Sequence, residues 1–157
     1  MLQEEVESRA GELARLHSSR LNCRRGCHDC CVDGLRVFEI EADHIRRNYA
    51  RLLEHGEPHA AGGCAFLADD GSCRIYEHRP YVCRTQGLPL RWIEDGPAGE
   101  RTEYRDICPL NDDGPPLEQL AAEECWTIGP TESHLAALQS RHDHVLTRTP
   151  LRDLFRS

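Results

Sequence analysis

The sequence predicts a small α+β domain, helices packed round short hairpins with little regular strand, and three observations carry that reading. Segments with apolar residues at helical spacing alternate with Asp-Gly and Gly-Pro turn signals rather than with long β-branched runs. The 157 residues are 39% hydrophobic and only 6% aromatic, a modest core for the length. Nine cysteines, eight of them between Cys23 and Cys108, offer the crosslinks that such a core lacks.

At this length roughly two-thirds of the unfolded surface is buried on folding. One domain over 1–157 therefore suffices, with a cysteine-rich core over 20–112 and a helical segment over 115–157. The net charge of −8 with scattered arginines argues against binding a nucleic-acid backbone, which needs clustered positive charge. The first residues, Met1-Leu-Gln-Glu-Glu-Val-Glu7, show no basic region and no apolar run, so neither export nor a membrane anchor is expected and the predicted compartment is the cytoplasm. In that reducing setting dense cysteines point to metal rather than to disulfides, and their odd number points the same way.

Taken in order, residues 2–20 read as an amphipathic helix with Leu2, Val6, Leu13 and Leu16 on one stripe and His17 exposed near its end. The stretch Cys23-Arg-Arg-Gly-Cys27-His-Asp-Cys30-Cys31 follows, four thiols in nine residues. Gly26 allows backbone amides to turn toward sulfur, and Arg24 and Arg25 would favour thiolates. His28 reads as solvated or supporting rather than as a ligand. Residues 35–40 form a short strand leading into a helix over 41–55, with Ile45, Tyr49, Leu52 and Leu53 inward and Gly56 as its stop.

A Gly-rich loop then delivers Cys64. Cys64-Ala-Phe-Leu67 and Arg74-Ile-Tyr76 read as two short strands round Asp69-Asp-Gly71, which brings Cys64 and Cys73 to the base of a hairpin. Pro80 starts a helical turn carrying Cys83. Residues 87–93 and 101–107 suggest a second hairpin, closed by Cys108-Pro109. In the tail, 117–126 and 130–141 are helix candidates, Leu135 and Leu138 face inward, and Thr149-Pro150 caps a last turn. Cys125 reads as a buried small apolar residue, and His142 and His144 as solvated.

Four of these pieces together resemble a small bacterial family, the CxxCxxCC or YkgJ family of zinc- or iron-chelating domains: the Cys23 to Cys31 cluster, Cys64-Ala-Phe-Leu67, the run Gly71-Ser-Cys73-Arg-Ile-Tyr-Glu-His-Arg-Pro80-Tyr-Val-Cys83-Arg84, and Cys108-Pro109. The Cys-x-Ile-Tyr-x-x-Arg-Pro-x-x-Cys-Arg signature is the most specific of them. The three residues between Cys23 and Cys27 depart from the two that the family name implies. The resemblance implies metal binding by Cys23, Cys27, Cys30, Cys31, Cys64, Cys73, Cys83 and Cys108.

Two uses of eight thiols compete. Tetrahedral zinc takes four ligands, so two separate ions fit; equally, a 4Fe-4S cluster suits the crowded first loop, with a second centre elsewhere. Cys30 and Cys31, being adjacent, are expected to diverge toward different centres. The spacing Cys23-x3-Cys27-x2-Cys30 also matches radical S-adenosylmethionine enzymes, but those place it in a barrel of roughly 200 residues or more, for which this chain is too short. No phosphate loop, nucleophile elbow or HExxH is present, so no catalytic residue is assigned. The leading expectation is a metal-binding protein whose zinc or iron–sulfur centre organises a surface for a protein partner. Behind it stand an iron–sulfur oxidoreductase or a component of a methyltransferase-like protein-modifying enzyme, and a metal chaperone. Tyr76 and Arg79 read equally as packing residues and as groups that orient ligands.

Overall fold

The computed structural model describes residues 2–142 and 145–156. It is α+β, as predicted: α1 Leu2–Leu16, β1 Arg36–Phe38, α2 Glu39–His55, α3 Tyr81–Thr85, β2 Leu90–Asp95, β3 Arg101–Asp106, β4 Trp126–Thr127, α4 Pro130–Gln139 and β5 Arg148–Pro150, with short 3-10 turns between. The backbone divides into two compact units, Met1–Cys23 with Tyr81–Glu132, and Arg24–Pro80 with Ser133–Ser157. Among the described residues no helix is long and apolar enough to cross a membrane.

In the first unit, Val6, Ala10 and Leu13 recur at helical spacing on α1 and are buried with Leu88 and Trp126. The stripe ends one turn earlier than expected: Leu16 is exposed, and His17 is instead buried, its Nε2 2.6 Å from the Glu124 carbonyl. The second predicted hairpin forms with Trp92 opposite Tyr104, the two rings stacked, and β4 pairs parallel to β2.

The helix expected over 117–126 does not form. Leu117–Gln119 and Ala122–Glu124 are separate 3-10 turns. The cause is competition for backbone groups: Arg105 Nη1 donates to the carbonyls of Leu117 and Leu120, and the Trp126 and Ile128 amides donate to Pro89 and Arg91 in the sheet. None of those partners lies nearby in sequence. Cys125 is buried as expected, and burial pushes its thiol pKa up.

In the second unit β1 leads directly into α2, whose N-terminus is closed by Glu41 accepting from the Phe38 amide and by Gln139 Oε1 accepting from the Glu39 amide. Ala42, Ile45 and Leu53 turn inward to Val37, Phe66, Ile75, Leu151 and Leu154, with Tyr49 and Leu52 at the edge of this core. β5 pairs antiparallel with β1, Val37 opposite Thr149, where only a capped turn was expected. Leu135 is buried and Leu138 half-buried. His142 is exposed; His144 lies outside the described residues.

Candidate metal centre

None of the nine cysteines forms a disulfide. Cys27, Cys30, Cys31, Cys64 and Cys73 belong to the second unit, and Cys23, Cys83 and Cys108 to the first.

In the second unit the cysteine loop is two successive tight turns, closed by Cys27 N–H to Arg24 O at 2.9 Å and Cys31 N–H to His28 O at 2.8 Å. Gly26 makes the first possible with φ of +89°. The loop is stitched to the segment that delivers Cys64 by an antiparallel bridge, Val32 to Gly63, and by Cys64 N–H donating to Cys31 O at 2.8 Å. Arg152 holds the same region from the C-terminal segment: it pairs with Asp33 at 2.9 Å and donates to the carbonyls of His59 and Gly63. The Arg152 bond, with the Gly62 and Gly34 amides, keeps the Asp33 carboxyl below its ordinary range.

The hairpin expected between Cys64 and Cys73 is reduced to a single bridge, Leu67 to Cys73, closed by Ala68 N–H to Ser72 O. On its other side Arg74 N–H donates to Phe66 O at 2.9 Å, while the Phe66 and Ile75 amides turn to the Cys64 and Cys73 sulfurs. Each cysteine thus carries a hydrogen bond from the amide two residues on, the support that a thiolate needs where burial opposes its charge.

Among the four thiols Cys31 senses the other three. The Cys31 thiol donates to Cys30, which with help from Cys30's own amide and from Arg79 lowers Cys30 to about 6 against an opposing burial. The same hydrogen bond, then burial, then the charges of Cys30, Cys64 and Cys73 push Cys31 up. Burial likewise raises Cys64 and Cys73, with Arg79 and Arg74 acting against it at Cys73. The adjacent pair therefore does not diverge, as expected from the sequence, but shares one hydrogen bond.

The positive charge beside these thiols also differs from expectation. It comes from Arg79 and Arg74, while Arg25 is 3.8 Å from Asp70 and Arg24 is exposed. The Arg79 guanidinium stacks 4.0 Å over the exposed Tyr76 ring, so packing and electrostatic roles coexist in one residue. His28 is exposed, its Nδ1 2.8 Å from the Gly26 carbonyl oxygen.

Among the described residues no three Cys, His, Asp or Glu side chains are gathered closely enough to hold an ion as they stand. What fits a soft metal is the donor set: Cys31 feels Cys30, Cys64 and Cys73, Cys64 feels Cys73, and amide donors at Cys64 and Cys73 and cationic neighbours support them.

In the first unit Cys23 is exposed, and its sulfur accepts from Asn111 Nδ2 at 3.3 Å. Cys83 lies on α3, and Cys108 opens a 3-10 turn closed by Asn111 N–H to Cys108 O at 2.8 Å. Sequence reasoning missed Asn111, Asp33 and Arg152. The first sits in a stretch that reads as a break, and the other two meet across 119 positions of chain.

No curated protein and no solved structure matches the chain. A family model described as "CxxCxxCC: Putative zinc- or iron-chelating domain" matches residues 22–109, a span that holds all eight of these cysteines. That span is more than half of the sequence, and its donor chemistry is that of the thiols assembled above; the chain belongs to the CxxCxxCC family of zinc- or iron-chelating domains.

Proposed function

We propose that the chain binds a zinc or iron–sulfur centre through Cys30, Cys31, Cys64 and Cys73, and that this centre orders the adjoining surface for a protein partner. The observation that carries the reading is the joining of the loop bearing Cys30 and Cys31 to the Cys64 segment within one unit, by the Val32–Gly63 bridge and the Cys64 N–H to Cys31 O bond at 2.8 Å, so that Cys31 feels the charge of Cys64 and Cys73. Two of them have amide donors already in place, which fits sulfur held as thiolate. Cys27 lies in the same unit and is available as a fifth sulfur.

The chemistry supplied depends on the metal: zinc saturated by four thiolates is structural, whereas an iron–sulfur cluster also carries electrons. The chain's own contribution is the same in both cases. Burial raises the cost of leaving Cys31, Cys64 and Cys73 ionised without a cation, and Arg74 and Arg79 offset part of it at Cys73. Tyr76, 56% exposed and covered on one face by Arg79, supplies the aromatic and arginine pair that protein interfaces favour.

Anaerobic purification followed by elemental analysis and visible spectroscopy tests the reading. Bound zinc or iron in the full chain, lost in Cys31→Ser and Cys64→Ser, is expected; a brown protein identifies the cluster and a colourless one zinc. Wild-type protein free of both metals, or serine variants that keep the wild-type content, would overturn it.

A further inference from the structure

β3 ends its sheet, whose order is β3-β2-β4, and among the described residues no strand pairs with its outer side. Arg101 to Tyr104 and Asp106 are exposed, and Arg105 is half-buried. Which backbone groups point outward follows from the ladder. The Pro89 and Arg91 carbonyls accept from the Trp126 and Ile128 amides at 2.8 and 2.9 Å, so they face β4. Backbone groups alternate in direction along a strand, so Leu90, Trp92 and Glu94 turn theirs to β3, where they meet Asp106, Tyr104 and Thr102. The Gly96 amide, donating to the Glu100 carbonyl at 2.7 Å, continues the same set. The amides and carbonyls of Arg101, Glu103 and Arg105 therefore point away from the sheet, and among the described residues no backbone group pairs with them.

An exposed edge is a template for another strand, and charge on it decides which strand it accepts. A second copy set antiparallel about a two-fold axis must bring outward-facing residues opposite one another, which leaves three registers with more than one such pair. Setting Arg101 opposite Arg105, with Glu103 opposite itself, places like charges together and is unfavourable. Setting Glu103 opposite Arg105 does the reverse, twice. Each copy already pairs Arg105 with Glu103 at 2.6 Å, so four charges then alternate in sign round a square. The same register puts Tyr104 on the axis opposite its own copy, where facing Cα atoms lie about 4.5 Å apart. Tyr104 is 42% exposed and already stacks on Trp92, so the two copies bring four rings into one row on that face. The third register, Arg101 opposite Glu103, also matches charge, but it sets Tyr104 against Glu100, outside the strand.

We propose that β3 is a homodimer interface. A second copy of this chain adds its own β3 antiparallel, Glu103 facing Arg105 and Tyr104 facing Tyr104, and the two sheets become one of six strands. The occupant is a second copy because the charge pattern of the edge is complementary to its own reverse. The surface belongs to the first unit and uses none of the cysteines assigned to the metal centre, so it stands or falls apart from that reading.

The test is sedimentation velocity and residue-resolved amide hydrogen exchange on the full chain, from low micromolar to several hundred micromolar protein. A reversible monomer–dimer equilibrium is expected. The outward amides of Glu103 and Arg105 should exchange at least about tenfold more slowly at the high concentration than at the low one, while that of Arg101 does not change. Tyr104→Lys sets two like charges on the axis and leaves the ladder of each copy intact, and should weaken dimerisation about tenfold. A chain that stays monomeric throughout overturns the proposal, and so does a dimer in which Glu103 and Arg105 exchange freely. Slowed exchange at Arg101 and Glu103 with Arg105 unchanged overturns the register, as does a dimer that Tyr104→Lys leaves at full strength. The wild-type measurements need no variant to fold.

Discussion

Arg152 shows how one side chain far along the sequence sets the place of a cysteine. Its guanidinium spans Asp33, just beyond the cysteine loop, and the carbonyls of His59 and Gly63, just before Cys64. Fixing both sides at once needs the planar fork of arginine, so Arg152→Lys is not conservative here. Arg152→Ala should lower the melting temperature by several degrees and weaken zinc binding about tenfold or more, measured by thermal denaturation and by competition with a chelator dye. Gly71 is a second such position. Its φ is +77°, and a Cβ there would stand 3.1 Å from both the Gly26 carbonyl and His28 Nδ1. Gly71→Ala forces the cysteine loop and the Cys64–Cys73 turn apart, and should cost about 1–3 kcal/mol by denaturant titration.

At the scale of elements, what could be read in advance was what local chemistry decides. The apolar stripe of α2, the Pro80 just before α3 and the turn of the second hairpin are written in neighbouring residues, though Glu94 and Asp95, expected in the connection, join β2 and pair with Thr102 and Arg101. One failure comes from capture of backbone groups by distant partners, the other from cysteine sulfur two residues away. Residues 117–126 carry helical periodicity, yet the Leu117 and Leu120 carbonyls go to Arg105 and the Trp126 amide to the Pro89 carbonyl. Residues 64–76 carry strand periodicity, yet two of their amides go to sulfur. The candidate site was legible as a list of cysteines, but not as a grouping, because the sequence does not say that Cys23 and Cys27 belong to different units. Glu103 on β3 ties the same arginine into the hairpin: hydrogen bonds from Arg91 and Arg105 hold its carboxyl below the ordinary 4.5. A lowered carboxyl contributes stability at neutral pH that is lost as pH falls below about 4.5 and through the folded value. Glu103→Gln should therefore flatten the acid limb of a stability–pH curve below that point while leaving the slope above it unchanged.

For the whole molecule the question is what holds so small an apolar core. The second unit's core is built round Phe66 and Ile45, both wholly buried, and Cys64 and Cys73 are packed against it, so metal and core are not independent sources of stability. Phe66→Ala should cost about 3–5 kcal/mol and also impair metal retention, since its side chain packs in the core that includes Cys64 and carries Cys73 at its edge. Removing metal from the wild type should itself lower stability, by about 4 kcal/mol when free ion had stood at a thousand times its dissociation constant, a shift that chelator-dependent melting would record. The aromatic residues add a practical corollary. Both tryptophans of the chain, Trp92 and Trp126, sit in the sheet of the first unit, whereas Tyr49 and Tyr76 lie in the second. Indole emission is thus a gauge of one half of the molecule, while Cys30, Cys31, Cys64 and Cys73 lie in the other. Phenol emission from Tyr49 and Tyr76 is the signal to watch, in a Tyr81→Phe, Tyr104→Phe background that removes the two phenols of the first unit.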